Sequence, residues 1–358
     1  MRKALLFGLA TGCAAMLMMP LSATAGKIII SNWDGYMSGD LLERFTAETG
    51  IEAELFLHAT NEEIMGKIVA NRGVGYDVLF VSSPFAEALA NLGLSAKIDR
   101  DLIPNIDNLY TEANHFPHDP GNRYSVPYAW GTTGLCYRSD LVSGTPDSWF
   151  DLLRPVDELK GKVTMLATER WLMGAGLFAL GYSINATDQE QIREARDLLI
   201  EAKQSQLAYD DTTFYAKLVT GEAVLVHAWD GWCNYGIVEN PAIKFVVPKE
   251  GSDAWVDTMV VVQASPNKEE AHAFINFVLR PEIHAWAVEN ILYKVPNQAA
   301  MESVDSSLFE TYPNLAMAPT ELLKLEGLRD LGEAQRYYTR AVTEITASQW
   351  RLKNALAA

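Results

Sequence analysis

Acids and large aromatics fall together at three points of the chain. Trp33, Asp34 and Tyr36 share one short segment, Trp229, Asp230 and Trp232 share another, and Trp255 and Asp257 alternate in a third. Tyr293 lies in a Leu-Tyr-Lys-Val-Pro stretch. An indole face attracts an ammonium group through its quadrupole, and a carboxylate adds a charge-assisted hydrogen bond. Aromatic walls also cover the methylenes between charges, so these residue types together suit a flexible organic amine. In an extended strand Trp255 and Asp257 point to the same side. A single Trp is as readily core filler, because Trp is highly buried on average. The repeated pairing of Trp with an acid is what points to a site.

Other chemistries lack their residues. The histidines, at positions 58, 115, 118, 227, 272 and 284, form no H-E-x-x-H and no tight cluster with carboxylates. His115 and His118 lie in a Pro-rich loop and read as solvated. There is no G-x-S-x-G elbow and no Walker loop. Gly174-Ala-Gly176-Leu-Phe-Ala179 matches G-x-G-x-x-A, but inside a predicted helix and not at the strand–helix turn that a dinucleotide requires. The expectation is a binding protein with no catalysis, no cofactor and no metal.

The elements that must position these residues are legible in the hydropathy. Residues 27–31 are a short β-branched apolar run, a buried strand. The loop 33–36 follows. Ser38 and Asp40 offer caps for a helix with Leu41, Leu42 and Phe45 on one side, stopped by Gly50. Residues 51–57 predict the next strand, 62–70 a helix with Ile64, Ile68 and Val69 inward, and 77–81 a third strand. Ser82, Ser83, Pro84 and Phe85 then lead into a helix reaching Leu92. This is βαβαβα with continuous apolar strands, which predicts an α/β fold with a parallel sheet covered on both faces. Ligands on such sheets bind beyond the carboxyl ends of the strands, where the 33–36 and 82–85 loops sit. An extended crossing segment is predicted at 124–137, with Gly131 to Gly134 as a candidate hinge. A second α/β unit follows, with strands at 163–166, 223–228 and 243–247 and helices near 171–180, 189–202 and 215–220. Residues 259–263 cross back. Asn267 and Glu270 predict a capping box for a helix over 268–279, and the tail 319–358 reads as helical.

The chain opens with Met1-Arg2-Lys3, an apolar run to Leu21, and Ala23-Thr24-Ala25, the parts of a secretory signal peptide cleaved after Ala25. Removing Arg2 and Lys3, the only charged residues of that segment, takes the formal net charge from -17 to -19. So acidic a chain disfavours nucleic acid, which needs a basic surface, and permits steering of a cation. Its length exceeds what one core usually holds and predicts two domains. Cys136 and Cys233 remain after cleavage. An oxidising compartment permits their pairing, but their spacing leaves it open.

Several segments are together specific. They are Ser31-Asn-Trp-Asp-Gly-Tyr36, Phe45 to Gly50, Asp77 to Ser83, Tyr124 to Thr133, Ser148-Trp149, Pro248 to Gly251, Trp255-Val-Asp257 and Ile275 to Pro281. Through them the mature chain resembles the periplasmic spermidine/putrescine-binding proteins of ABC importers. The resemblance implies a two-lobed periplasmic binding protein fold, each lobe a mixed, mostly parallel sheet flanked by helices. Residues 26–131 with 259–310 would form one lobe and 132–258 with 311–358 the other. It implies a monomer that holds a small amine between the lobes and docks on permease subunits in the inner membrane, with no nucleic-acid partner. A periplasmic amine sensor for a membrane receptor shares the same features.

Family ligand positions fall on Trp33, Tyr36, Ser82, Trp229, Trp255, Asp257 and Tyr293. Asp34, Phe85, Glu169, Trp171, Asp230 and Trp232 complete the candidate set. Here the sequence departs from the family. Asp34 is followed by Gly35, where the family carries an acid. Thr168 and Trp171 stand where spermidine binders place acids, with Glu169 between them, and Leu328 replaces a polar residue. The far half of the cleft is therefore expected to be more apolar. Putrescine, a longer amine in another register, or a monoamine or zwitterion all fit that expectation.

Overall fold

A computed structural model describes residues 26–348. The signal peptide expected at 1–25 lies outside the described residues. The chain begins with β1 (Lys27–Asn32), α1 (Leu41–Thr49), β2 (Glu52–Leu57), α2 (Asn61–Ala70), β3 (Val78–Ser82) and α3 (Ser83–Asn91). A long strand, β4 (Val126–Arg138), leads to α4 (Trp149–Leu153), β5 (Val163–Met165), α5 (Glu169–Ala179), α6 (Gln189–Ala202), β6 (Gln206–Tyr209), α7 (Phe214–Thr220), β7 (Leu225–Trp229), α8 (Asp230–Glu239) and β8 (Ile243–Val246). A second long strand, β9 (Asp253–Val261), precedes α9 (Lys268–Val278), α10 (Pro281–Asn290), α11 (Gln298–Ser303), α12 (Ser307–Thr311), α13 (Pro319–Leu322), β10 (Glu326–Gly327) and α14 (Gln335–Ala347).

The strands follow one path, β2-β1-β3-β9-β4-β7-β5-β6, with β8 added on β4 and β10 on β9. Pairing is parallel within β2-β1-β3 and within β7-β5-β6. The central ladders β3-β9, β9-β4 and β4-β7 are antiparallel. Each outer group is thus a doubly covered α/β unit. The two units are joined through β4 and β9, the strands that carry the chain from one to the other.

Local sequence explains most elements. Leu41 and Phe45 bury one stripe of α1, and Gly50, at φ 74, ends it in the left-handed region that glycine favours. Thr60 caps α2 by accepting from the Glu63 N–H at 3.1 Å. Four expectations are corrected. Val69 is 48% exposed, because the α2 stripe is narrow and only Ile64 and Ile68 face the sheet. Asn267 makes no side-chain cap to α9; its Nδ2 donates to the Lys27 carbonyl at 2.9 Å. The tail is not one helix: α13 gives way to β10, which pairs with β9 at Asp253 and Ala254, before α14 begins. The return crossing starts at Asp253 and not at 259, so it includes Trp255 and Asp257. Gly131 to Gly134 lie inside β4, where the strand is continuous and buried.

The open question of the cysteines is answered by a bond between Cys136 of β4 and Cys233 of α8, with 6.0 Å between Cα atoms. It closes a loop with a sequence separation of 97 residues. By loop-closure entropy such a bond stabilises the folded chain by about 5 kcal/mol. The Cys136→Ala/Cys233→Ala double variant should lose stability on that scale in chemical denaturation. A midpoint equal to that of the wild type would show that packing of α8 on β4 makes the bond redundant.

Candidate ligand-binding cleft

Strand β9 makes the floor of the cleft. Alternation puts Asp253, Trp255 and Asp257 on one side of it. Neighbouring strands supply the residues beside each. Asp257 pairs in register with Ser82 of β3 and Ala129 of β4, and Trp255 pairs with Gly131. Thr133 of β4 pairs with Trp229 of β7. The floor thus runs from Ser82 and Asp257 in the first unit, past Trp255 in the middle, to Asp253, Thr133 and Trp229 in the second.

At the first end, Asp257 accepts hydrogen bonds from the Tyr36 hydroxyl and the Ser82 hydroxyl, each at 2.6 Å. Both donors are held. Asn61, at the start of α2, accepts from the Ser82 N–H at 2.9 Å and donates to Ser82 Oγ at 3.1 Å. The Tyr128 hydroxyl donates to the Tyr36 carbonyl at 2.6 Å and fixes the 33–36 loop. Trp33 lies edge-on to Tyr36, and Tyr36 edge-on to Tyr293. No basic side chain pairs with Asp257 among the described residues. Burial pushes its carboxyl above the usual value, and the two hydroxyls only partly pull it back.

Two glycines let the walls close in. A Cβ on Gly131 would lie 2.3 Å from the Trp255 ring, and one on Gly231 would lie 2.6 Å from the Tyr293 ring. Trp255 is buried edge-on to Tyr293 at 5.4 Å, and its Nε1 has no hydrogen-bond partner among the described residues. At the second end, Trp171 of α5 packs edge-on to Trp229, with ring centroids 5.3 Å apart. Its Nε1 donates to Asp253 at 2.9 Å.

The structure therefore brings together Trp33, Tyr36, Ser82, Trp171, Trp229, Trp255, Asp257 and Tyr293. It places the other candidates elsewhere. Asp34 is exposed at the tip of its turn. Phe85 packs on the small core of Ile64, Ile68 and Leu89 between α2 and α3. Trp232 fills the α7–α8 contact against Phe214, Tyr215 and Tyr235. Asp230 is buried in an ion pair with Lys294, so its carboxylate is already matched. Glu169 turns to α14, where it accepts from Gln335 and from Thr339 at 3.1 Å. Thr168 donates to Asp211 at 2.9 Å, and Leu328 is buried beside β9. Arg170 is spent on the carbonyls of Arg329 and Ile184 and on Asn185.

Asp253 is the floor residue that sequence reasoning missed. It is fully buried and accepts from Thr133 as well as from Trp171. Burial pushes its carboxyl up to about 6. The signal was present, since the alternation that singled out Trp255 and Asp257 extends two residues back to Asp253.

Comparison with known proteins places the chain among solute-binding proteins. Residues 40–316 match the family model described as bacterial extracellular solute-binding protein. The chain is similar to the spermidine/putrescine-binding periplasmic protein of Salmonella typhimurium, with 31% identity over 95% of this chain and 98% of that one. It is also similar to a putrescine/cadaverine-binding protein of Pseudomonas aeruginosa, with 29% identity over 88% and 92%. Among solved structures, the spermidine/putrescine ABC transporter substrate-binding protein of Streptococcus pneumoniae superimposes with a TM-score of 0.77 at 28% identity, covering 90% of this chain and 99% of that one.

Asp257 makes a prediction about the ligand-free protein. A carboxyl whose value is raised by folding destabilises the folded state at neutral pH, and that cost fades as the pH falls through the raised value. Asp257→Asn should therefore melt higher than wild type at pH 7, and the difference should close in an acidic melting series. A variant that melts lower at pH 7 would mean that the carboxylate is compensated in the free protein.

Proposed function

The chain belongs to the family of bacterial extracellular solute-binding proteins, and we propose from this premise that it captures a polyamine of the putrescine or spermidine class. The observation that carries the reading is Asp257, a carboxylate held by two hydroxyls among aromatic rings, with no basic side chain paired to it among the described residues. A ligand ammonium supplies that cation. Trp33, Trp229, Trp255 and Tyr293 offer faces and edges to the ammonium and its methylenes. The two lobes rotate about β4 and β9, the strands in which the chain crosses between them, to enclose the ligand. The closed form then docks as a monomer on the permease of an ABC importer. On this reading the protein works in the periplasm after loss of its signal peptide, and it binds without catalysis. No described helix is long and apolar enough to cross a membrane.

A second reading has one observation in its favour. The buried Trp255 Nε1 has no partner among the described residues, and a ligand carboxylate could accept from it. A zwitterion such as γ-aminobutyrate would meet Asp257 with one end and this donor with the other.

The two readings separate in a thermal-shift panel on refolded, ligand-stripped protein. It should include putrescine, cadaverine, spermidine, agmatine and γ-aminobutyrate. Putrescine-class amines should raise the melting temperature, by the equivalent of about 2.7 kcal/mol at a hundredfold over the dissociation constant. Asp257→Asn should weaken amine binding by about 3 kcal/mol, roughly 100-fold. A shift with γ-aminobutyrate alone would move the ligand to the zwitterion and leave the family unchanged.

A further inference from the structure

The second end of the cleft is closed by an indole that a buried carboxylate holds in place. Trp171 sits in the first turn of α5, half-buried. Its ring lies edge-on to Trp229 at 5.3 Å, and its Nε1 donates to Asp253 at 2.9 Å. It therefore spans the row of Asp253, Thr133 and Trp229 that ends the floor. Asp253 has no solvent exposure, and its oxygens hold Thr133 and Trp171. As an acceptor that fixes an indole it is complete; as a partner for a ligand ammonium it is covered.

We propose that Asp253 is a positioning residue that, by pinning Trp171 as an end wall, limits the length of amine the cleft admits and selects short diamines over spermidine. The inference rests on the polyamine reading above. Its scale comes from the strand. Four residue steps along β9 separate Asp257 from Asp253, about 13 Å at the strand rise. An ammonium within about 3 Å of Asp257 and a ligand end about 4 Å from the Trp171 ring leave roughly 6 Å between them. An extended chain advances about 1.2 Å per bond. The five bonds between the nitrogens of putrescine span about 6 Å, and the nine bonds between the end nitrogens of spermidine span about 11 Å. A four- or five-carbon diamine fits between Asp257 and Trp171. Spermidine requires the wall to move.

The test is isothermal titration of the mature protein and its variants with putrescine, cadaverine and spermidine, reading the ratio of dissociation constants. Wild type should bind putrescine or cadaverine at least tenfold more tightly than spermidine. Trp171→Ala opens the wall and should reduce that preference tenfold or more. Asp253→Leu, which releases the indole, should do the same. Asp253→Asn keeps an oxygen that accepts from Trp171 Nε1 and should restore a ratio within about threefold of wild type. A general loss of stability lowers all affinities together and does not reproduce this pattern. A wild type that prefers spermidine, or a ratio unchanged by Trp171→Ala, overturns the inference and leaves the polyamine reading standing. So does an Asp253→Asn variant that matches Asp253→Leu, because Asp253 would then act through its charge. Failure of the wild type to bind any of the three amines removes the polyamine reading itself.

Discussion

Taking a carboxylate out of water without a cation beside it costs a protein several kcal/mol, and the cleft is organised around one such group. Asp257 keeps both oxygens on neutral hydroxyls, from Tyr36 and Ser82, which soften the burial without cancelling the charge. Those hydroxyls are useful only if they cannot swing away. Ser82 is held at its N–H and its Oγ by Asn61, and Tyr36 is held through its carbonyl by Tyr128. Tyr128 belongs to β4, Ser82 to β3 and Asp257 to β9, three neighbouring strands of one sheet. The backbone ladder therefore holds the carboxylate and its two donors in one register.

Three acids within this small region do three different things, and only their surroundings separate them. Asp230 faces Lys294 and forms a closed ion pair that ties the start of α8 to the 293–295 segment. Asp253 faces neutral donors and serves as an anchor for an indole. Asp257 faces neutral donors as well, at the other end of the floor beside Trp33, Tyr36 and Tyr293. Bound to the same ligand, all three would demand a tricationic guest. Matching one internally and covering another with an indole leaves Asp257 as the acid of the three with neither a cation nor a ring over it among the described residues.

Much of the fold was legible because it rests on local rules. Apolar β-branched runs marked β1, β3 and β5, Gly50 marked the end of α1, and residues 189–202 read as the helix that forms α6. The failures share a cause. Asn267 had the sequence of a cap, yet its side chain is oriented by a distant contact, with Nδ2 donating to the Lys27 carbonyl, and makes no cap. The tail had helical composition, yet β9 left an edge on which residues 326–327 could pair. In both places a distant segment outbid a local preference, which no window of sequence displays.

The cleft divides in the same way. Sequence by itself determined the chemistry, aromatic rings beside acids on a chain of strongly negative charge, and the alternation that puts Trp255 and Asp257 on one face of a strand. Those follow from residue type and backbone period. Tertiary structure alone decided which acid stays unmatched. Lys294 follows Tyr293 directly, yet nothing in their order says that its ammonium reaches back to Asp230. Nor does the order say that Trp171 reaches across to Asp253, or that Trp232 turns to Phe214. Charge pairing and ring packing act through space over a few ångströms, between residues that the chain separates by dozens of positions.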